Sequence, residues 1–325
     1  MPNELIIANL YILANEAKAS HDPPASGRRG KDRFRAIAYA KAIKAIKALP
    51  ADLTSGKEAL DLKIGIGAKI AKKIQEILDT GELNEVQALG NETITKTMTL
   101  ALFGKIWGVG PVKASQLWDA GARTIDDLRT TYFNLLTANQ KIGLKYMGDL
   151  EKRLPKSEVL KIVFAIETEI RKLSGLKIEH RFCGSFRRRL PTAGDIDLLL
   201  SSDAESSQIL PALVKRLTKS GILLESLALG LAKYMGIIKT DTIAFRIDIE
   251  FIKPAEWPFA LFYFTGPGSF NEKVRTIAKK KGLRLSEHGL LVVATNTYVS
   301  GLKTESDIFK YLGMEYLPPW ERAEK

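Results

Sequence analysis

Residues 181–200 read RFCGSFRRRLPTAGDIDLLL, a stretch in which a glycine-serine pair, Gly184 and Ser185, precedes two aspartates, Asp195 and Asp197. The aspartates alternate with apolar residues, which predicts a buried strand with both carboxylates on one face. Two neighbouring carboxylates repel each other unless a cation lies between them, and Mg²⁺ prefers oxygen ligands. A glycine-serine turn lets a phosphate group approach the backbone closely. The stretch therefore predicts a divalent cation and a phosphate bound side by side.

The spacing within this stretch decides between two interpretations. Two aspartates one residue apart, taken alone, are typical of an edge strand whose carboxylates are solvated. Here Arg187, Arg188 and Arg189 stand between the glycine-serine pair and the aspartates, and guanidinium groups bind phosphate oxygens well. The pattern resembles the nucleotidyltransferase signature, in which glycine-serine is followed after a short spacer by aspartate, an apolar residue and aspartate.

A second segment offers a third carboxylate. Residues 244–252 read AFRIDIEFI, and this alternation predicts a strand with Arg246, Asp248 and Glu250 on one face. If this strand lies beside the first, Asp248 joins the other two aspartates around a pair of metal ions about 3.5–4 Å apart. Such a pair activates a hydroxyl and stabilises a leaving pyrophosphate, and Arg246 would hold Asp248 by an ion pair. An amphipathic strand with one wet face explains the segment equally well.

Composition limits the class of protein. A length of 325 residues predicts roughly two to three domains. The net charge of +12 and the isoelectric point near 9.5 indicate a polyanionic partner, most simply nucleic acid. One cysteine, Cys183, and three histidines argue against disulfides within the chain and against a zinc site. The sequence lacks a long apolar run and a signal-peptide core, which predicts an intracellular protein of a reducing compartment with no membrane span.

Two segments in the N-terminal half repeat one pattern, an apolar residue and two glycines one residue apart, followed by a helix with lysine in its first turns. The residues are Gly65, Gly67 and Lys69 in the first segment and Gly108, Gly110 and Lys113 in the second. Both segments resemble the helix-hairpin-helix motif, whose helix N-terminus points its amides at a DNA phosphate. A basic stretch from Arg28 to Lys47 precedes them and would extend this phosphate track. The turn carbonyls would hold a monovalent cation, Na⁺ or K⁺, through Asp61, Lys63 and Ile66 in the first hairpin and through Gly104, Ile106 and Val109 in the second.

Lysines cluster on the helix that follows the first hairpin. Lys69, Lys72 and Lys73 lie on one side of it, and a lysine crowded by other cations loses its proton more easily. A neutral amine there would attack the aldehyde of an abasic sugar and form a Schiff base. The local pattern alone favours a plain DNA-binding surface.

Together these segments resemble the X-family DNA polymerases, most closely the DNA polymerase beta type. The resemblance runs from about residue 30 to 322 and rests on motifs in order: Ile-Gly-Leu-Lys-Tyr, Gly-Ser-Phe-Arg-Arg, Gly-Asp-Ile-Asp, Arg-Ile-Asp-Ile, Tyr-Phe-Thr-Gly, Phe-Asn and Ser-Glu-His. It implies template-directed filling of short gaps, of the base excision repair type, with two Mg²⁺ ions or Mn²⁺ in their place. The partners would be gapped or nicked duplex DNA and dNTPs. The protein would be a monomer, nuclear if its source is eukaryotic.

The resemblance also implies residue roles. Metal ligands would be Asp195, Asp197 and Asp248. The triphosphate would contact Ser185, Arg188, Gly194 and Arg153, and the sugar would lie against Tyr263, Phe264 and Gly266. Asn271 and Arg275 would sense minor-groove edges, with Arg246 among the DNA-contacting residues. Lys73 falls on the Schiff-base lysine of the family's 5′-deoxyribose-phosphate lyase, and Arg35, Tyr39 and Lys69 fall on its supporting 5′-phosphate positions.

Departures from the family pattern leave alternatives open. Phe34 replaces a histidine and Glu85 a lysine, which weakens the 5′-phosphate pocket, so lyase activity is less firmly implied than polymerisation. Pro267 and Gly268 replace bulkier residues beside the incoming base, which would loosen fidelity. The alternatives are a template-independent or end-joining polymerase of the same family and a non-catalytic scaffold that binds DNA ends.

The expected fold class is α+β. An all-helical N-terminal part with the hairpins would precede a nucleotidyltransferase palm with a mixed sheet and a small α+β C-terminal subdomain. The expected divisions are 1–90 for a lyase-like, 5′-phosphate-binding domain, 91–150 for a helical DNA-binding subdomain, 151–260 for the palm and 261–325 for a nucleotide-selection subdomain.

Overall fold

The computed structural model describes residues 2–19, 29–173 and 177–322, apart from the side chains of residues 19 and 29–33. The predicted loop at 21–30 lies outside the described residues except for its last two, and the basic side chains at 28–33 lie outside them as well. The chain separates into two compact units, Met1–Lys145 and Tyr146–Lys325.

The first unit is helical throughout its described part. Its helices are α1 (Pro2–Ala19), α2 (Arg29–Lys47), α3 (Gly56–Asp61), α4 (Ala68–Thr80), α5 (Asn84–Gln87), α6 (Gly90–Phe103), α7 (Pro111–Asp119), α8 (Ile125–Arg129) and α9 (Ala138–Lys145), with a 3-10 helix at Phe133–Leu135. Apolar side chains of α1, α2 and α4 form one core, in which Leu10, Ile46 and Ile74 are almost fully buried. Thr124 caps α8 in a capping box with Asp127.

The two glycine patterns form equivalent turns. Gly65 and Gly108 adopt positive φ angles of 85° and 84°, a conformation that glycine reaches without strain. Gly67 and Gly110 are extended N-caps, so α4 and α7 begin directly after the turns. The internal repeat read from the sequence is therefore a structural repeat.

The second unit alternates helices and strands. Its helices are α10 (Met147–Leu150), α11 (Lys156–Arg171), α12 (Gly184–Arg187), α13 (Ser206–Lys219), α14 (Trp257–Thr265), α15 (Gly268–Lys280) and α16 (Glu305–Tyr311), with 3-10 helices at Pro254–Glu256 and Pro319–Glu321. Its strands are β1 (Leu154–Pro155), β2 (Glu179–Phe182), β3 (Thr192–Ala193), β4 (Ile196–Ser201), β5 (Leu223–Leu229), β6 (Lys233–Lys239), β7 (Ala244–Ile252), β8 (Leu283–Ser286), β9 (Gly289–Val292) and β10 (Thr297–Tyr298).

A mixed sheet of five strands in the order β2-β4-β7-β6-β5 organises this unit. Only the β4–β7 pair is parallel; the other neighbours are antiparallel. Strand β4 lies inside the sheet, so the alternative of an edge strand is wrong. Strand β2 ends at Phe182, and Gly184, with its positive φ, begins a short helix.

The two faces of β4 pack against different helices. Leu198 and Leu200 lie in the core with α11 and α13, whereas Leu199 packs with α14 on the opposite face. Because side chains alternate along a strand, Asp197 shares the α14 face with Leu199. The side chain of Asp197 therefore lies on the face of the sheet that is covered by α14.

A smaller α+β layer completes the second unit. The sheet β10-β9-β8 packs with α14, α15 and α16 around buried apolar residues that include Phe262, Val274 and Phe309. The α+β fold class and its small C-terminal part are as predicted. Within the described residues, no helix is both long and apolar enough to cross a bilayer.

Candidate active site

Three carboxylates meet where β4 and β7 run parallel. Asp197 and Asp248 are direct partners in the strand register, and Asp195 immediately precedes β4. One oxygen from each of the three lies within 4.8 Å of the others. The structure therefore brings together the three side chains that the sequence singled out as a set.

Burial and mutual repulsion set the electrostatics of this cluster. Burial, and after it the nearby charges of Asp195 and Asp248, raise the pKa of Asp197 to about 7. Burial also raises the pKa of Asp248, although Arg246 opposes the shift. Arg246 contacts Asp195 directly, and its Nε lies 3.5 Å from Asp248 Oδ2. Arg246 therefore contacts two of the three carboxylates, and its charge together with that of Arg188 opposes the rise in the pKa of Asp197.

The donor set fits a divalent cation. Three carboxylate oxygens converge, and hard cations such as Mg²⁺ prefer oxygen ligands. Asp248 Oδ1 is buried and has no hydrogen-bond partner within residues 2–19, 29–173 and 177–322. A buried acceptor left unpaired is unfavourable, and a cation would satisfy it. The cluster has the chemistry of one or two bound metal ions, as predicted for these aspartates.

A glycine makes room for the cluster. Gly184 has a φ of 52°, and a Cβ placed on it would lie 2.0 Å from Asp197 Oδ2. The Cys183 amide donates a 2.8 Å hydrogen bond to the Asp197 carbonyl, which joins the start of α12 to β4. Only glycine fits at position 184 while Asp197 keeps its place, so the glycine of the signature has a steric role that the sequence did not reveal.

A groove of about 360 Å³ adjoins the carboxylates. Its lining contains Asn271 and every residue that was predicted to contact the triphosphate or the sugar: Arg153, Ser185, Arg188, Gly194, Tyr263, Phe264 and Gly266. Asp195, Asp197, Pro267 and Gly268 also line it. The predicted residues come from four separate segments of chain, yet all of them face one concave surface.

Two arginines are fixed at the rim of this groove. Arg153 donates hydrogen bonds to the side chain and carbonyl of Thr192 at 3.0 and 2.9 Å. Arg188 Nη1 donates to the Thr265 carbonyl at 2.6 Å, which ties α12 to the end of α14. Their positive charges line the same groove as the aspartates, an arrangement suited to a polyanionic ligand such as a triphosphate.

An aromatic pair also lines the groove. Tyr263 and Phe264 meet edge to face with ring centroids 5.2 Å apart. Asn271 Nδ2 donates to the Tyr263 carbonyl at 2.8 Å, and the Arg275 guanidinium lies 4.8 Å from the Tyr263 ring centroid. The two predicted minor-groove sensors are thus held against Tyr263, and their contact with a base pair stays a prediction.

An ion-pair network supports the groove from behind and was missed by sequence reasoning. Arg187 makes a bidentate contact with Glu305 at 2.6 and 3.1 Å, and Arg322 Nη1 donates to the same carboxylate at 2.7 Å. Burial alone would raise the pKa of Glu305, but the two arginines outweigh it and hold that pKa below its usual range. More than a hundred residues separate Arg187 from Glu305, so no local pattern could have revealed the pair.

A second cluster lies in the first unit, around Lys73 of α4. Glu85 of α5 contacts Lys73 Nζ and also accepts a 3.0 Å hydrogen bond from Arg35 of α2. Burial lowers the pKa of Lys73, and the charge of Arg35 lowers it further. Tyr39 is buried in the adjoining core, whereas Lys69 is exposed on the outer surface of α4.

The second hairpin has a support that sequence reasoning missed. Gln140 of α9 is buried and donates from Nε2 to the Gly108 carbonyl at 2.9 Å. Lys113 Nζ contacts the Leu135 carbonyl. The Ile106 carbonyl accepts a hydrogen bond from the Val109 amide at 2.9 Å, and the cation ligands expected at both hairpins stay predictions.

Four known protein families match successive parts of the chain. A helix-hairpin-helix domain matches residues 1–83, and the fingers domain of DNA polymerase lambda matches residues 101–151. The DNA polymerase beta palm matches residues 153–254, and the DNA polymerase beta thumb matches residues 260–323. The four matches describe, in chain order, the parts of a DNA polymerase.

Whole-chain comparison gives the same result. DNA polymerase lambda of Rattus norvegicus is 35% identical over 313 residues, which is 90% of this chain and 53% of that relative. DNA polymerase lambda of Arabidopsis thaliana is 34% identical over 90% of this chain and 58% of its own length. The DNA-directed DNA/RNA polymerase mu of Homo sapiens is 28% identical over 92% of this chain. The chain belongs to the X family of DNA polymerases. It spans a little over half the length of the two lambda relatives.

Proposed function

We propose that this protein is a DNA-directed DNA polymerase that fills short gaps during repair, of the base excision repair type. The observation that carries the proposal is the parallel β4–β7 pair, which brings Asp195, Asp197 and Asp248 together beside a groove lined by arginines. Its substrates would be dNTPs and gapped or nicked duplex DNA, bound by a monomer. The division of the chain at residues 90, 150 and 260 is part of the same proposal.

The residues have the following roles in this reaction. Arg153, Arg188 and Ser185 bind the triphosphate, and Tyr263 and Phe264 pack against the sugar. The primer 3′-oxygen attacks the α-phosphorus, a new P–O bond forms, and the bond to the bridging oxygen breaks as pyrophosphate leaves with the electron pair.

The aspartates prepare the attacking group. Asp248 Oδ1 is a buried acceptor that would orient the 3′-hydroxyl or take its proton. Asp195, Asp197 and Asp248 would hold divalent cations, which lower the pKa of a bound hydroxyl and neutralise charge on the triphosphate. Arg246 holds Asp195 and Asp248 at their mutual distance before substrate binds.

Primer extension on duplex DNA with a one-nucleotide gap tests the polymerase proposal. Replacing Asp248→Asn should abolish extension in Mg²⁺ and leave DNA binding nearly intact, whereas Asp203→Asn, at an exposed site outside the groove, should change neither. Parallel reactions without a template strand distinguish gap filling from template-independent addition. Equal loss of extension and binding in Asp248→Asn would assign Asp248 a structural role and contradict the proposal.

We also propose a 5′-deoxyribose-phosphate lyase centred on Lys73. The neutral amine attacks C1′ of the opened sugar, and water leaves as an imine forms. Loss of a C2′ proton then expels the 3′-phosphate group, and water hydrolyses the imine. Burial and Arg35 both lower the pKa of Lys73, which favours a reactive amine, whereas the contact with Glu85 favours the ammonium form.

Borohydride trapping on an incised abasic site tests the lyase proposal. Lys73→Ala should prevent the covalent adduct while sparing primer extension, and Lys72→Ala, on the exposed side of the same helix, should still be trapped. An adduct that persists in Lys73→Ala would assign the nucleophile to another lysine.

A further inference from the structure

In the first unit one carboxylate, that of Glu85, contacts two cationic side chains. Glu85 touches both Lys73, the candidate nucleophile, and Arg35, assigned to the 5′-phosphate. The Glu85 side chain is 37% exposed and those of Lys73 and Arg35 are 20% and 43% exposed, so a ligand from solvent can reach all three.

The backbone that carries Glu85 is fixed in place. The Asn84 amide, at the start of α5, donates a 2.7 Å hydrogen bond to Glu76 Oε1 on α4, and Val86 is buried in the core. Glu85 therefore cannot leave the cluster by a shift of α5 without breaking these contacts. Rotation of its side chain is the simplest way to uncover Arg35 and Lys73.

A carboxylate and a phosphate monoester compete for the same donors. Both bind a guanidinium or an ammonium group through charge-assisted hydrogen bonds. A terminal 5′-phosphate that approaches Arg35 and Lys73 meets donors that Glu85 already uses, and it also meets the negative charge of that side chain. Because one ion pair open to solvent changes an equilibrium only a few-fold, the competition weakens binding without abolishing it.

We propose that Glu85 is a specificity-determining residue that occupies the 5′-phosphate position, so that this protein discriminates only weakly between 5′-phosphate and 5′-hydroxyl ends. The proposal rests on the assignment of the Lys73 cluster to the downstream 5′ end. In the beta type a lysine stands at this position and would favour a 5′-phosphate end over a 5′-hydroxyl end. With Glu85 there instead, we expect this protein also to accept a gap that ends in a 5′-hydroxyl.

The test is a ratio of two affinities, measured by fluorescence anisotropy. The probes are duplexes with a one-nucleotide gap that differ only in a 5′-phosphate or a 5′-hydroxyl on the downstream strand. Glu85→Gln should raise the preference for phosphate about threefold to fivefold, as expected for removal of one exposed ion pair. Glu85→Lys should raise it further, because it adds a phosphate-binding cation. Glu82→Gln removes the same charge from an exposed turn nearby and should leave the ratio unchanged.

Several outcomes would overturn the proposal. An unchanged or lower ratio in both Glu85 variants means that the carboxylate does not compete with phosphate. Borohydride trapping at saturating DNA separates this result from the lyase assignment. If borohydride traps no covalent adduct of the wild-type protein with DNA, the proposed lyase activity is refuted. The two affinity ratios still decide the role of Glu85 in that case. If Glu85→Gln lowers the trapping rate but leaves the ratio of phosphate to hydroxyl affinity unchanged, Glu85 acts in the lyase reaction and not in 5′-phosphate selection.

Discussion

Single residues decide whether the carboxylate cluster can form, and Gly184 is the clearest case. Its α-carbon faces Asp197 so closely that a methyl group would overlap a carboxylate oxygen. The positive φ of Gly184 adds a second reason for glycine, because other residues are strained there. Position 184 is therefore as restricted as the aspartates themselves.

Replacing Gly184→Ala should displace Asp197 while leaving its charge in place. A displacement of about 1 Å at a reacting centre lowers rates by about a hundredfold, so we expect a loss of that order in single-turnover nucleotide addition. Gly148→Ala, where a methyl group meets nothing within 4 Å, is the matched control. Full activity in Gly184→Ala would show that Asp197 need not hold its position.

The sequence predicted the acidic residues but not their surroundings. Side chains two residues apart on a strand point to the same face, so the local pattern was enough to place Asp195 and Asp197 on one face and Asp248 on a second strand. The contact of Arg246 with Asp195 and the burial that raises the pKa of Asp197 depend on how β4 and β7 pair. Pairing between distant strands leaves no mark on the local sequence.

At the scale of elements, patterns with a strong period were predicted well. The alternating segment 244–252 coincides with β7, and α4 follows the first glycine pattern as expected. Strand β6 was missed, because its sequence KYMGIIK has a central glycine and weak alternation. A glycine inside a strand weakens its signal, and here Tyr234 packs over Gly236 in compensation.

The second hairpin depends on a helix that lies outside the motif. Gln140 donates to the Gly108 carbonyl and accepts a 3.0 Å hydrogen bond from the Thr137 amide. Replacing Gln140→Leu removes the partner of the Gly108 carbonyl and of the Thr137 amide, and a typical intramolecular hydrogen bond contributes about 0.5–1.5 kcal/mol.

We therefore expect Gln140→Leu to lower both the thermal unfolding midpoint and the affinity for gapped DNA. Gln116→Leu, on the exposed face of α7, is the control and should change neither by much. A stable Gln140→Leu protein with normal DNA affinity would mean that the hairpin holds its shape without α9.

At the scale of the whole second unit, one buried carboxylate links distant segments. Glu305 of α16 pairs with Arg187 of α12 and with Arg322 near the end of the described chain. The Arg322 guanidinium also lies 5.1–5.6 Å from the ring centroids of Phe262, Phe270 and Phe309. Loss of one partner would leave buried charge uncompensated.

Replacing Glu305→Gln should lower the free energy of unfolding at neutral pH by about 3–5 kcal/mol, the usual effect of breaking a buried ion pair. The folded-state pKa of Glu305 is lowered, so its stabilisation is fully present above the unfolded value, about 4.3, and is lost as pH falls through the folded pKa. Acid titration of stability should therefore be shallower in Glu305→Gln than in the wild type. Glu315→Gln, at an exposed position, should reproduce the wild-type curve.

Net charge acts on the molecule as a whole. A protein with a net charge of +12 that grips DNA by its phosphates should release counterions as it binds. For about six to ten phosphate contacts, affinity for gapped duplex should fall by about 10³–10⁵ between about 50 and about 200 mM salt.

The slope of log affinity against log salt should shrink by about one when Lys69, exposed on α4, is replaced by alanine. Asp195→Asn should keep the slope of the wild type even though it loses catalysis, because a metal ligand does not neutralise DNA phosphates. A flat salt response would contradict backbone binding by the hairpins, and the positive charge would then need another partner.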